Sequence, residues 1–478
     1  MNTSRKTFLS KHATAFALLG VFVVTFGMIG AECPLGPNMP TPTGDSGLTG
    51  RFVGSERCAE CHSNVHDNWM STLHAGALET LEAIGQGEND TCLACHTVGF
   101  GEEGGFVDRA TTNSLAGVGC ESCHGPSGDH ASNVNDESLR PPTNIAANIC
   151  GDCHTGERHP NFEEWEMSGH AAKSISDRFE AGGFYLNACG KCHSGDFYYM
   201  AILEGQTVEN DALMGVAVAD QNGITCAVCH DPHARTGNFA VEPEDGRDYQ
   251  LRFPEVASPI PTNTIDATTN PDRFNICGQC HHGRGRTWEA TSRGPHHSVQ
   301  SNMYVGEMAL PDADENRSPL IPSTFSVHAL ATEQCASCHM FRQDFQDEFA
   351  PAIAGHSMEV NNGGCAASGC HPTIEAAVAA QATLQTEITD RLEDITTRLN
   401  GFSMTFTEGG ALSGADAWEY TSGGGPSEAD QDELPDNIKK IRFFLKYVEA
   451  DGSLGIHNPD YTRRILDEAE DLLDEESL

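Results

Sequence analysis

Eight times along this chain two cysteines stand three residues apart and are followed at once by a histidine. The sets are Cys58, Cys61 and His62; Cys92, Cys95 and His96; Cys120, Cys123 and His124; Cys150, Cys153 and His154. They continue with Cys189, Cys192 and His193; Cys226, Cys229 and His230; Cys277, Cys280 and His281; and Cys335, Cys338 and His339. A ninth set, Cys365, Cys370 and His371 in CAASGCH, has four residues between its cysteines. The pattern Cys-x-x-Cys-His makes two thioether bonds to a haem and presents the histidine to its iron. A single pentapeptide of this kind arises by chance or as half of a zinc site. Nine sets that use eighteen of nineteen cysteines point instead to nine covalently attached haems c. At the ninth, a disulfide across the short loop is the competing reading, and the trailing His371 favours haem.

A second histidine on the far side of each iron closes it to substrate and keeps the ligand set unchanged on reduction, which suits electron transfer. Beyond the motif histidines and His12, the chain holds His66, His74, His130, His159, His170, His233, His282, His296, His297, His328, His356 and His457. The expected distal ligands are His74, His130, His170, His233, His282, His296, His328 and His356. His297 competes with His296, His66 and His159 are read as hydrogen-bonding groups, and His457 falls outside the set.

Three segments repeat an order of haem histidine, tryptophan, serine and histidine: Trp69, Ser71 and His74; Trp165, Ser168 and His170; Trp288, Ser292 and His296. The tryptophan is expected to stack on porphyrin while the histidine reaches an iron; core filler is the alternative use of the ring.

The elements around these residues are sparse. The 478 residues are 38% apolar, with 49 glycines and 23 prolines, a thin core for the length unless flat apolar cofactors supply the interior. Folding is then expected to depend on cofactor attachment. The net charge of −41 excludes nucleic acid, which needs a basic footprint. It suits basic partners or cations, or serves solubility alone.

At the start, Arg5, Lys6 and Lys11 precede an apolar run from Ala13 to Ile29, the n-region and h-region of an export signal. The run has three readings: a lipoprotein signal with Cys33 acylated, cleavage near Gly30 or Ala31, or an uncleaved membrane helix. Each places the body outside the cytoplasm, in the periplasm or at the outer cell surface. The domain reading is an export signal over 1–32, a Pro/Gly-rich tether over 33–55, a nine-haem region over 56–371 and a helical region over 372–478. Two haem-free stretches, Val241 to Asn275 and Ser301 to Ser323, read as surface loops. Beyond His371, apolar periodicity predicts helices over Thr373–Leu399, Asn437–Ala450 and Asp460–Leu473. The fold class is mainly α with long loops: a haem-packed multihaem cytochrome c body with a C-terminal helical hairpin.

The run from Cys58 to His170, with CESCHGPSGDH and the Trp-Ser-His echoes, resembles the tetrahaem cytochrome of nitrifiers. CASCHM at Cys335–Met340, AGHSM around His356 and GIHNPDY at Gly455–Tyr461 resemble the superfamily of hydroxylamine oxidoreductase and ammonia-forming nitrite reductase. PHHSVQSNM at Pro295–Met303 resembles outer-surface multihaem cytochromes. The resemblance implies an exported protein exchanging electrons with other redox proteins, such as cytochromes, quinol-oxidising modules or terminal reductases. Membrane anchoring at the N-terminus and homo-oligomerisation are compatible with it. The chain departs from the nitrite reductases, whose active haem typically has lysine in place of the motif histidine, because all nine motifs here end in histidine. An electron carrier is the leading expectation. An oxidoreductase with one open haem, acting on nitrite, hydroxylamine or a sulfur oxyanion such as tetrathionate, is the alternative.

Overall fold

The computed structural model describes residues 51–143, 145–172, 186–209, 213, 220–236, 248–252, 276–283, 287–308, 321–322, 324, 326–331, 334–346, 351–367 and 369–478. The export signal, Cys33, most of the tether and most of both haem-free stretches lie outside those residues.

Two kinds of packing divide the described chain. From residue 51 to the ninth motif, the described residues form short helices joined by turns, and the eight Cys-x-x-Cys-His motifs each lie on or beside about one helical turn; at the ninth, the helix Asn362–Ala367 ends before Cys370 and His371. Helix α1, Ser55–Trp69, carries the first motif and loses helical geometry at His62 (φ −110°, ψ 40°). The second to fifth motifs lie on or run into Asp90–His96, Cys120–His124, Asn148–Gly151 and Leu186–His193. One turn is what the chemistry asks for. Residues i, i+3 and i+4 share a helix face, so both thiols and the imidazole address one side. Apolar clusters here are small; one gathers Leu78, Leu81, Leu93, Val98, Phe106 and Leu115.

The C-terminal region has a conventional core. Helix α2, Asn161–Met167, and helix α3, Gln300–Val305, lie before it. Helix α4, Ile374–Leu399, starts with Thr373 accepting from the Ala376 N–H, an N-cap that satisfies one orphan donor. Its inward positions Leu384, Ile388, Leu392, Ile395 and Leu399 follow the helical period. Helix α5, Asp436–Asp451, and helix α6, Pro459–Glu475, form the hairpin, with α4 packed on both. They close a single core with Ile438, Ile441, Phe444, Leu445, Val448, Ile465, Leu466 and Leu473. Each fully buried side chain of this kind contributes about 1.5–3 kcal/mol, so this region has an apolar driving force of its own.

Two features here differ from the sequence reading. A two-stranded antiparallel ribbon, β1 Ser403–Phe406 and β2 Gly410–Ser413, interrupts the helices and pairs Met404 with Leu412. Ser301 opens no surface loop: Ser301, Asn302, Met303, Tyr304 and Val305 are buried in α3. Met303 and Met308 join the C-terminal core, and the Met308 N–H donates to the Tyr461 hydroxyl over 2.8 Å. A polar, proline-containing stretch reads as a loop by local composition, and only the distant core reveals its apolar positions.

Candidate functional site: histidine pairs beside the cysteine motifs

A metal–imidazole nitrogen bond is about 2.0–2.1 Å and the nitrogen lies roughly 1 Å from the ring centre, so two imidazoles on opposite sides of one iron have centres about 6 Å apart. Six motif histidines face a second histidine at that separation. His74 lies 6.1 Å from His154, His233 lies 6.1 Å from His124, and His170 lies 6.1 Å from His281. His297 lies 5.8 Å from His193, His356 lies 6.2 Å from His230, and His457 lies 6.2 Å from His339. Two more pairs sit within electrostatic reach of each other, His130 with His62 and His159 with His96.

The rings are held by the nitrogen that iron does not need. The Nδ1 atoms of His96, His124, His230 and His339 contact the backbone carbonyls of Ala77, Pro142, Tyr249 and Met358 at 2.9, 2.9, 2.6 and 2.9 Å. Among distal candidates, His356 contacts the Ala354 carbonyl at 3.1 Å and His457 contacts Asp451 Oδ1 at 2.6 Å. A carbonyl can only accept, so Nδ1 carries the hydrogen and Nε2 keeps its lone pair for metal. Burial pushes His154, His281 and His356 down to about 4. These rings are neutral at pH 7, the form that binds metal. At His457 burial acts the same way, but the charge of Asp451 and its hydrogen bond outweigh it and the net shift is upward.

The tryptophan echoes explain how His74 and His170 are brought to the motif histidines they face. Trp69 donates its indole N–H to the Val118 carbonyl at 3.1 Å, and the Val118 N–H donates to the His74 carbonyl at 2.9 Å. Trp165 and His170 repeat this on Ile224, at 2.8 and 2.9 Å. Val118 and Ile224 each stand two residues before a motif cysteine. The echo after the first motif therefore clamps onto the third and serves the fourth; the echo after the fourth clamps onto the sixth and serves the seventh. The third echo differs. Trp288 packs against the C-terminal core with Lys440 Nζ 5.2 Å from its ring centre.

Not every expected distal histidine falls in these pairs. At the fifth motif His297, not His296, stands opposite His193. The His296 ring is 4.1 Å from that of His297, and the ligand atoms of all three lie within 4.8 Å of one another. The cause is local: Ser298 Oγ donates to the His282 carbonyl, so it accepts from His296 Nδ1 at 2.6 Å and holds that ring aside. His282 is buried beneath this serine. His328 turns its Nδ1 to the Ile456 carbonyl at 2.6 Å. His66 lies 5.5 Å from Trp69. Sequence reasoning set aside His159, His297 and His457. GIHNPD around His457 was legible as the entry to a helix, but nothing local tied it to a motif in another part of the chain.

Cys58 and both cysteines of the eight later motifs are thiols, including Cys365 and Cys370. Cys61 is disulfide-bonded, a state that thioether formation at the first motif would replace. In no motif are the two cysteines bonded to each other. Thiols of different motifs touch: Cys58 with Cys120, Cys95 with Cys153, Cys150 with Cys226, Cys192 with Cys280, Cys277 with Cys335, and Cys338 with Cys365. The first of these contacts is fixed by Glu121 inside the third motif. Its buried carboxylate accepts the backbone N–H groups of Val53, Gly54 and Ser127, each at 2.8 Å.

The sequence model of the cytochrome c554 and c-prime family matches residues 57–125, which hold the first three motifs. Cytochrome c-554 of Nitrosomonas europaea is 32% identical over 147 residues, 25% of this chain and 63% of that protein. The alignment thus spans less than two thirds of that relative. The chain is a multihaem c-type cytochrome. The fold of this cytochrome is that of two solved structures. One is the outer cell wall cytochrome OcwA, with a TM-score of 0.56, 20% identity, and cover of 88% of this chain and 99% of that one. The other is the undecahaem cytochrome from the S-layer of Carboxydothermus ferrireducens, with a TM-score of 0.55, 18% identity, and cover of 92% and 70%. The donor set fits haem c: paired thiols on one helical turn, with an imidazole aimed from each side. No helix among the described residues is long and apolar enough to cross a membrane.

Proposed function

We propose that this cytochrome is an exported nine-haem electron carrier whose irons are mostly held between two histidines. One observation carries the reading: six motif histidines face a second histidine 5.8–6.2 Å away. Haem supplies the one-electron iron couple. The protein contributes fixed ligands, so little rearranges when an electron arrives, and it closes the iron to other chemistry.

The cysteine contacts order the sites. The third motif lies beside the fourth, through Cys123 with Cys150 and Cys153, and the sixth beside the seventh, through Cys229 with Cys277 and Cys280. Joined to the contacts above, these give a line through motifs one, three, four, six, seven, eight and nine, with the second branching from the fourth and the fifth from the seventh. Electrons enter and leave through redox partner proteins, and the net charge of −41 favours basic docking faces. The outer-wall and S-layer relatives support a place beyond the cytoplasm. Attachment through Cys33 and homo-oligomerisation belong to the same proposal.

The second reading is an oxidoreductase in which one open haem acts on a small nitrogen or sulfur compound. Low-temperature electron paramagnetic resonance of the oxidised protein separates the two. A carrier shows low-spin ferric signals alone, whereas a high-spin signal abolished by nitrite or hydroxylamine favours the enzyme. The intact mass of the holoprotein tests the count of nine and the acylation of Cys33.

A further inference from the structure

The contact between His457 and Asp451 differs in kind from those at the other paired histidines whose Nδ1 contact is described. His96, His124, His230, His339 and His356 meet neutral backbone carbonyls, and His281 meets the side-chain amide oxygen of Gln300 at 3.4 Å. His457 meets a carboxylate at 2.6 Å. Asp451 ends α5, and its side chain is 0% exposed. Ser453 donates its hydroxyl to Asp451 Oδ2 and accepts the His457 N–H at 3.2 Å. The turn from α5 to α6 is therefore tied around this one carboxylate. A buried carboxylate is costly unless an opposite charge lies close. No lysine or arginine pairs with Asp451 among the described ion pairs. The positive charge its position would serve is an iron on the far side of the imidazole ring, between His339 and His457, whose ring centres lie 6.2 Å apart.

We propose that Asp451 makes the iron held by His339 and His457 the lowest-potential centre of the cytochrome, an energetic step between its seventh and ninth sites. The inference rests on the reading above that these two histidines share an iron. A carboxylate accepting the Nδ1 hydrogen gives the ring imidazolate character and raises its basicity as a ligand. A stronger donor, with a negative charge beyond it, stabilises ferric over ferrous iron and lowers the potential. The eighth motif touches the seventh through Cys277 and Cys335 and the ninth through Cys338 and Cys365. An electron moving between the body and the ninth site crosses this iron. One electron passes and no atom moves, with external redox proteins as reductant and oxidant. Asp451 thus sets how readily the ninth site exchanges electrons with the rest, without touching it.

The test is a spectroelectrochemical titration of the full-length holoprotein beside Asp451→Asn, Asp451→Glu and His457→Met, with low-spin signals followed by electron paramagnetic resonance. In Asp451→Asn the lowest of the reduction waves is expected to shift upward with haem content unchanged, and Asp451→Glu is expected to hold it low. His457→Met reports on the underlying reading, because it must replace one bis-histidine signal; an unchanged spectrum there removes the shared iron and the inference with it. If that signal changes while Asp451→Asn leaves the lowest wave in place, the proposal is overturned and the ligation stands. Should Asp451→Asn fail to accumulate, Ser453→Ala strips a hydrogen bond from the same carboxylate, leaving it more basic. It must move the lowest wave further down, and any other result refutes the proposal.

Discussion

His74 and His154 face each other at 6.1 Å, although one follows the first cysteine motif and the other closes the fourth. His170 and His281 repeat the relationship between the fourth motif and the seventh. On the proposed ligation, a histidine supplied by one part of the chain would be used three motifs later, and an iron between the two rings would staple neighbouring sites together.

Removing such a staple has a defined signature. His170→Ala is expected to keep the haem content, measured by intact mass, while one low-spin ferric signal is replaced by a high-spin one. His170→Met is expected to stay low-spin with one potential raised, because methionine favours ferrous iron. A spectrum unchanged in both variants would show that His170 does not ligate.

The tryptophan clamp contributes more to position than to stability. Trp165→Phe deletes the indole donor to the Ile224 carbonyl and is expected to cost about 1 kcal/mol. The visible effect is a partly high-spin population at the site His170 serves. Trp288→Phe, on the echo that packs against the C-terminal core, is expected to leave all low-spin signals intact.

Glu121 holds the first and third motifs together through three backbone N–H groups. Glu121→Ala leaves those donors without their acceptor and is expected to lower stability by about 3 kcal/mol, read as an earlier thermal transition. Signals from the first and third haems should lose their mutual magnetic coupling. Retained coupling would mean that other contacts hold the two motifs.

Ile388 is fully buried in the C-terminal core and packs under Gly455, where an added Cβ would lie 3.1 Å from its Cγ1. Ile388→Ala is expected to cost about 2–5 kcal/mol. Because Gly455 belongs to the turn bearing His457, the eighth haem should be the first to lose its low-spin signal as temperature rises.

Acid should act through the buried imidazoles. Burial brings His154, His281 and His356 down to about 4, against about 6.5 in an unfolded chain. Between those values the unfolded state binds more protons, so stability is complete above about 6.5 and falls as the pH drops toward 4. Iron on Nε2 acts in the same direction. Growth of a high-spin band across that window is the measurement, and a flat response there would contradict the burial of these rings.

Local chemistry was legible in the residues: the cysteine and histidine spacing that calls for haem, and where the C-terminal helices run. The apolar period of Leu384, Ile388 and Leu392 is a property of neighbouring residues, and neighbours are what a sequence displays. Which histidine faces which motif was not legible, because a distal ligand is chosen by whatever part of the chain arrives on the other side of the iron. His457 reaches the eighth motif only because α5 and α6 pack on α4 and turn around Asp451. His297 takes the place expected for its neighbour His296 only because Ser298 is itself committed to the His282 carbonyl. Motif chemistry is set by covalent spacing; the pairing, and with it the order of the wire, is set by packing between segments far apart in the chain.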